Sequence, residues 1–305
     1  MLKRSIKSVL KQKYENIEII VVDDNVSNSK SRKETNKVIE KFKENNNNIN
    51  YIKHEKNMGG SKARNTGIEA AQGDYIAFLD DDDEWDSEKL NKQIERLSTS
   101  KIKNIKVIYT GSKTYNNNKL VKKRLPKHNG NVYDNIIDDN IVPGGGSSIL
   151  IKKECFDEVG GFNENLPAAQ DYDMWIRLAK VYNFDYVAEP LTINYIHGKH
   201  RITDNISSKK KAYDFLYNEY YKKEFNIFKA NKKYALKLER IGHWLCLSDN
   251  MFEGRSIYIQ AIKKWPLSPK LWFKYIISLT NKNLYKKIWG AKRKLFNQNT
   301  EVRKF

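Results

Sequence analysis

Apolar positions along the first hundred residues follow two alternating patterns. Spacings of three and four residues predict helices near residues 2–10 and 38–42. Short, almost continuous apolar runs predict strands at residues 17–22, 49–52 and 75–79, of the kind buried on both faces of a sheet. Strands that alternate with helices in this way predict an open α/β sheet with crossover helices.

The pattern changes beyond residue 100. Residues 101–200 contain two short strand signals, at 107–109 and 148–151, and a helix is predicted over 171–182. From about residue 206 the apolar spacing is helical throughout. We therefore expect an α/β region, residues 1–205, followed by an all-helical region, residues 206–305.

Composition narrows the class of protein. A chain of 305 residues with 39% hydrophobic and 12% aromatic residues can bury a core, which excludes a disordered protein. No apolar run approaches the roughly 20 residues of a membrane-spanning helix, and no signal-peptide pattern follows Met1. Cys155 and Cys246 lack metal-ligand spacing and are interpreted as reduced thiols. A cytoplasmic protein is expected.

Basic residues are concentrated in the helical region. Residues 206–305 contain 23 basic and 7 acidic residues, a net charge of +16, whereas residues 1–205 have a net charge of +3. Such a region attracts polyanions, either nucleic acid or an anionic membrane face, although a solvated lysine-rich surface explains the composition as well. Because no recognisable nucleic-acid-binding motif accompanies the charge, nucleic acid is not an expected partner.

Residues 283–296 show a pattern typical of surface-bound helices. Apolar residues, including Leu284, Ile288 and Leu295, alternate at helical spacing with lysines and an arginine. Such a helix can lie on an anionic membrane surface, which predicts peripheral association with the inner face of the plasma membrane. Packing of the apolar face within the protein is the equal alternative.

Two acidic groups come directly after predicted strands. Asp23-Asp24 follows residues 17–22, and Asp80-Asp81-Asp82-Asp83 follows residues 75–79. Open α/β sheets bind ligands at the carboxyl ends of their strands. Adjacent carboxylates repel one another unless a cation or hydrogen-bond donors compensate, and Mg²⁺ and Mn²⁺ prefer oxygen ligands. The run therefore favours a divalent-metal site beside substrate phosphates; the alternative is an acidic loop at the start of the next helix.

Longer motifs resemble family 2 glycosyltransferases. The segments that carry the resemblance are IIVVDDN at 19–25, NMGGSKARNTG at 57–67, AQGDYIAFLDDDDEW at 71–85, GGF at 160–162 and QDYDMWIRL at 170–178. The similarity extends over about residues 1–205. It implies a GT-A (Rossmann-like) mixed sheet flanked by helices, and transfer of a sugar with inversion in the synthesis of a cell-surface polysaccharide. The donor would be a nucleotide sugar, expected to be UDP-linked, and the acceptor a saccharide or a lipid-linked saccharide.

The resemblance assigns donor-side roles to five residues. Asp24 would hydrogen-bond the base of the donor. Asp82 would be the direct ligand of Mn²⁺ or Mg²⁺, with Asp80 as its support and Asp81 near the ribose, while the last aspartate of the run takes no part. Arg64 would position the donor, or would instead pair structurally with the aspartates.

The resemblance also implies two roles nearer the reacting atoms. Asp171 corresponds to the general base that takes the proton from the acceptor hydroxyl. The alternative for Asp171 is to cap the helix that starts there. His197 resembles a late histidine that approaches the metal or pyrophosphate in some members, and a structural histidine is the alternative.

The start of the chain departs from the family pattern. Members normally begin with a strand that precedes the helix near Leu2 and lies in the sheet beside the nucleotide pocket. Without that strand, its neighbours would keep unpaired backbone groups. The sequence thus predicts either a start upstream of Met1 or weak activity. The alternative function is a catalytically impaired sugar-nucleotide-binding or assembly subunit.

Overall fold

The computed structural model describes residues 1–196, 205–248 and 250–289, in two compact units, Met1–His200 and Arg201–Phe305. The elements of the first unit are α1 (Leu2–Leu10), β1 (Ile19–Asp23), α2 (Lys30–Lys43), β2 (Ile49–Lys53), α3 (Gly60–Ala70), β3 (Tyr75–Ala77), β4 (Glu84–Trp85), α4 (Lys89–Thr99), β5 (Ile105–Asn116), β6 (Lys119–Arg124), α5 (Tyr133–Asp138), β7 (Ile149–Lys152), α6 (Cys155–Val159), α7 (Gln170–Val181) and β8 (Asn183–Tyr195).

Six of the strands described in the first unit form one mixed sheet. Its order is β3-β7-β5-β8-β4, and β6 pairs with the outer half of β5. The β5–β8 pair is parallel, whereas the pairs of β7 with β3 and β5, and of β4 with β8, are antiparallel. Helices accompany the sheet, as the contacts of α4 with β5 and β8 show. The predicted mixed sheet flanked by helices is confirmed.

A separate pair of strands precedes this sheet. β1 and β2 are parallel, with Ile19 opposite Ile49. Both isoleucines are buried in one apolar cluster with Ile6 of α1 and Ile39 of α2. The helical spacing of α1 and α2 thus places their apolar faces on this small sheet, as amphipathic helices require.

An apolar slot separates β1 from β3. Among the described strands, β1 pairs with β2 alone and β3 with β7 alone, so each has an edge without a partner. The slot has a volume of about 810 Å³, and its lining includes consecutive residues of both strands, 19–22 and 75–77. Because consecutive side chains of a strand point to opposite faces, this lining indicates that the strand edges, with their backbone N–H and C=O groups, border the slot.

An extension of the chain tests whether the slot accepts a further strand. We expect an apolar, strand-forming segment joined ahead of Met1 to enter the slot, pair with both edges and raise the thermal unfolding midpoint by several degrees. Calorimetry of the extended and original chains measures this. A Gly/Ser segment of equal length is the control, and equal midpoints for the two extensions would contradict the expectation.

The described part of the second unit is helical. Its elements are α8 (Ile206–Leu216), a π-helical turn (Tyr217–Tyr221), α9 (Lys222–Glu224), α10 (Ile227–Leu247), α11 (Met251–Lys264), α12 (Pro269–Ser278) and a last helix over residues 282–289. No helix among the described residues is both long and apolar enough to span a bilayer.

The last described helix packs within its own unit. Tyr285 is buried, and its hydroxyl lies 2.8 Å from both His243 Nδ1 and the Tyr258 hydroxyl. Ile288 and Trp289 pack against the same cluster. For the described part of residues 283–296, these contacts favour the core-packing alternative over a membrane-facing apolar surface.

Candidate functional site

The aspartate run leaves β3 and folds into a compact acidic cluster. One ligand oxygen each from Asp80, Asp82 and Asp83 lies within 4.8 Å of the others. Three hard oxygen donors at such spacing fit Mg²⁺ or Mn²⁺. The donor set is therefore suited to the cation that the sequence predicts.

Asp83, the last aspartate of the run, lies within this cluster. It is buried, and its Oδ2 accepts a hydrogen bond of 2.7 Å from the Ser147 hydroxyl. The same hydroxyl accepts from the backbone N–H of Asp80 at 3.1 Å, so Ser147 bridges two members of the run. Burial raises the pKa of Asp83 to about 7, and the negative charge of nearby Asp80 is the second cause of the rise.

Helix α1 fixes the backbone of the run. The Ser5 hydroxyl lies 2.8 Å from the carbonyl oxygen of Asp81 and 2.7 Å from that of Asp83. Arg4 donates to the carbonyl of Asp82 at 2.9 Å. The side chain of Asp81 is exposed, and Asp82 is half-buried. The carboxylates are therefore presented from a backbone that α1 holds.

Arg64 and Asn65 join α3 to the rest of the site. Arg64 Nη2 lies 2.8 Å from Asp80 Oδ1, which supports the structural-pairing alternative for this arginine. The Asn65 side chain accepts from the backbone N–H of Phe162 at 2.7 Å and donates to its carbonyl at 2.9 Å. At Gly161 an added Cβ would lie 2.5 Å from Asn65 Oδ1, so glycine is required for this close approach.

Asp171 lies in the first turn of α7 and does not cap it. The N-cap residue is Ala169, whose φ of 56° is rarely adopted by a residue with a side chain. Asp171 Oδ1 accepts from the backbone N–H of Tyr172 at 2.8 Å, and a Cβ added at Gly145 would lie 3.4 Å from Asp171 Oδ2.

The pKa of Asp171 depends in part on the aspartate run. Burial raises its pKa, and the negative charge of Asp80 adds to the rise, while the Arg64 guanidinium opposes it. Arg64 and Asp80 are far from Asp171 in sequence, yet both are close enough in the fold to influence the pKa of Asp171. The structure thus brings three predicted site residues together.

Asp24 lies in a tight network at the end of β1. Its Oδ1 accepts from the backbone N–H of Met58 at 2.8 Å, and its Oδ2 accepts from that of Gly59 at 2.8 Å. His54 Nδ1 lies 2.8 Å from Asp24 Oδ1, and His54 Nε2 lies 3.0 Å from the Thr66 hydroxyl. Asp24 therefore orders the loop before α3, and its contact with a donor base stays a prediction.

The sequence did not indicate three residues that support the site, and it indicated His197 only through resemblance to a family motif. Ser5, Ser147 and His54 stabilise the site through contacts with residues distant in the chain. Only His54 carried a signal, because it directly follows strand β2 as Asp24 follows β1. His197 lies outside the described residues, so its predicted role is not addressed.

Comparison with known proteins decides the family. A family model described as Glycosyl transferase family 2 matches residues 1–160. The chain belongs to this family.

Individual relatives agree with the assignment. The putative colanic acid biosynthesis glycosyl transferase WcaA of Escherichia coli (strain K12) is 31% identical over 250 residues, covering 76% of this chain and 80% of that protein. An uncharacterized glycosyltransferase of Rickettsia felis is 34% identical over 185 residues, covering 59% of this chain but 29% of that protein. The chain thus spans less than a third of that relative's length.

A solved structure shares the fold. S. aureus TarS 1-349, crystallised in complex with UDP, has a TM-score of 0.51 with 14% sequence identity, and the match covers 87% of this chain and 85% of that one. At this identity the likeness concerns the fold alone.

The raised pKa of Asp83 predicts a pH-dependent stability. Between about pH 4 and 7 the folded chain keeps a proton that the unfolded chain releases, so the free energy of unfolding falls as pH rises through this interval. Asp83→Asn removes the titrating carboxyl group, and with it this pH-dependent contribution to the free energy of unfolding. In EDTA, we expect the stability gain from Asp83→Asn to be about 2–3 kcal/mol larger at pH 8 than at pH 5.

Denaturant unfolding at both pH values measures the gain. Asp157→Asn, at an exposed aspartate of α6, is the control and should show no such difference. A gain from Asp83→Asn that is the same at both pH values would contradict the prediction.

Proposed function

We propose that this chain is an inverting, divalent-metal-dependent glycosyltransferase. It transfers a sugar from a nucleoside-diphosphate sugar to a saccharide or lipid-linked acceptor during synthesis of a cell-surface polysaccharide. The observation that carries the proposal is the convergence of Asp171, Arg64 and Asp80 beside the carboxylates of Asp82 and Asp83. The UDP in the TarS structure supports a nucleotide donor, and the name of WcaA supports a role in polysaccharide synthesis.

The acidic cluster would form the diphosphate end of the site. Asp82, with Asp80 and Asp83, would hold Mn²⁺ or Mg²⁺, which when bound neutralises charge that grows on the departing diphosphate. Arg64, paired with Asp80, adds a fixed positive charge at the same place. Asp81, exposed beside the run, is available to the ribose.

Asp171 would be the general base. The acceptor hydroxyl oxygen forms a bond to the anomeric carbon, the bond from that carbon to the diphosphate oxygen breaks on the opposite face, and Asp171 takes the hydroxyl proton. The pKa rise caused by burial makes Asp171 a stronger base than an exposed aspartate. Gly145 supports the assignment, because its lack of a side chain leaves space beside Asp171 Oδ2.

Two substitutions test this division of roles. Asp171→Asn should lower the turnover number by roughly 100-fold or more while the affinity for the nucleotide sugar stays within about threefold. Asp82→Ala should instead weaken Mn²⁺-dependent binding of the donor. Turnover is measured with Mn²⁺ as release of the nucleoside diphosphate, and donor binding by calorimetry. With Asp157→Asn as the control, equal turnover in Asp171→Asn and wild type would remove Asp171 as the base.

A second candidate function is a sugar-nucleotide-binding or assembly subunit with impaired catalysis. The slot beside β1 favours it, because Asp24 follows β1 and the slot leaves one edge of that strand without a partner among the described residues. The same measurements distinguish the candidates: donor binding by the wild type without turnover would favour the binding subunit.

We also propose peripheral contact of the second unit with an anionic membrane surface. Residues 206–305 carry a net charge of +16, out of +19 for the whole chain. On α12 the side chains of Trp272, Phe273 and Ile276 are exposed, each by more than 40%. Exposed aromatic residues within a basic surface are typical of proteins that bind anionic lipid headgroups.

Vesicle flotation tests the membrane contact. The wild type should float with vesicles that contain phosphatidylglycerol and not with phosphatidylcholine alone, and Trp272→Ser/Phe273→Ser should reduce flotation severalfold. Phe252→Ser, at another exposed phenylalanine of the same unit, is the matched control. Equal flotation of all three proteins would contradict a role for α12.

A further inference from the structure

A second pocket opens in the first unit where β6 ends. It has a volume of about 420 Å³, and one wall is formed by Lys123, Arg124, Lys127 and His128. The facing wall is the segment 139–141 that follows α5. A pocket of this size accommodates a ligand of one or two sugar rings.

One wall of the pocket is anchored to the sheet. The Tyr109 hydroxyl of β5 donates to the carbonyl of His128 at 2.5 Å. Gly130 and Phe184 of β8 exchange two backbone hydrogen bonds of 2.7 and 2.9 Å. Across the pocket, Asn140 accepts from the backbone N–H of Val142 through its side chain at 3.1 Å. These bonds hold the segment of His128 against β5 and β8, and the bond at Asn140 orders a turn within the facing segment.

The pocket has a strong positive charge. Residues 113–128 contain six lysines and arginines and no aspartate or glutamate, and three of the six, Lys123, Arg124 and Lys127, line the pocket. Within the part of the chain that the structure describes, neither Lys123 nor Lys127 is paired with a carboxylate, and Asp139 is the single acidic residue in the lining. Lysine and arginine at this density bind carboxylate and phosphate groups.

Apolar side chains complete a surface suited to a sugar. Leu125 and Ile141 line the same pocket as the cations. A sugar ring presents C–H groups on its face and hydroxyls on its rim, so it contacts both apolar and polar groups. The combination distinguishes the pocket from a surface that binds small inorganic anions.

The pocket wall leads directly to the proposed base. Residues 139–141 continue through Pro143 into the loop that contains Gly145, next to Asp171. Ser112, which pairs with Arg124 across β5 and β6, approaches Gly144 so closely that an added Cβ there would lie 3.0 Å from Ser112 Cβ. The pocket is thus joined by adjacent backbone to the acceptor side of the site.

We propose that this pocket is an acceptor subsite for a negatively charged sugar, one bearing a carboxylate or a phosphate group. The term acceptor rests on the proposed function, but the binding of an anionic sugar does not. Lys123 and Lys127 bind the anion, Arg124 assists, and Leu125 and Ile141 contact the ring.

Ligand-observed NMR titration of the full chain, without donor, tests the subsite. The probes are glucuronate, glucose 6-phosphate and the neutral analogue glucose. Lys123→Gln/Lys127→Gln should weaken binding of at least one anionic probe by about tenfold or more. Lys119→Gln/Lys122→Gln removes the same charge from residues of β6 outside the pocket lining, and should change binding by less than about threefold.

The relative affinities of glucuronate and glucose 6-phosphate identify the preferred anionic group. Equal binding of glucose and the anionic probes would overturn the proposal, as would absence of binding or an equal loss in both double variants. The last result would indicate a diffuse basic strand, such as one attracted to a membrane. Because the titration involves no transfer, its failure leaves the roles of Asp171 and Asp82 to their own test.

Discussion

The repulsion among four consecutive aspartates constrains the whole first unit. Carboxylates this close stabilise the folded chain only when donors or cations compensate their charge. The fold supplies the Ser147 hydroxyl to Asp83 and the Arg64 guanidinium to Asp80. Helix α1 fixes the backbone through Ser5. The negative charge that these contacts leave uncompensated surrounds a position lined by carboxylate oxygens, which suits a divalent cation.

The helix that carries Arg64 also contacts the rest of the site. Arg64 pairs with Asp80, and Asn65, its neighbour in α3, bonds the backbone of Phe162. That loop is fixed from the other side, where Arg177 of α7 donates to the carbonyls of Val159 and Gly161. Helix α7 also carries Asp171. The acidic run and the proposed base are therefore linked through α3, the loop at residues 159–162 and α7, which these hydrogen bonds hold together.

Burial raises the pKa of both Asp83 and Asp171, yet with different consequences. At Asp83 the like charge of Asp80 adds to the rise, so a bound cation would displace a proton that the folded chain otherwise keeps. At Asp171 the Arg64 guanidinium opposes the rise, which favours a carboxylate that is ionised and still basic. Arg64 thus acts on the pKa of Asp171, while it pairs directly with Asp80 of the aspartate run.

Much of the fold follows from local sequence pattern. The continuous apolar runs correctly placed β1, β2, β3 and β7 to within a few residues, and the helical spacing placed α7. Strand β8 was not predicted, because Glu189 and Pro190 interrupt its alternation while pairing with β5 and β4 holds it in the sheet. Periodicity reports which face of an element is buried, and not which distant element covers it.

For the candidate site, the sequence by itself determined which acidic residues end the strands, through the apolar runs that precede them. Motif resemblance added Arg64 and Asp171 as candidates. Only the tertiary structure decided the position of the Asp83 side chain, because the hydroxyl that donates to it belongs to Ser147, 64 residues away. It likewise decided that His54 supports Asp24 and that Tyr285 packs inside the second unit. These outcomes depend on contacts between residues far apart in the chain, which no local pattern of residue types encodes.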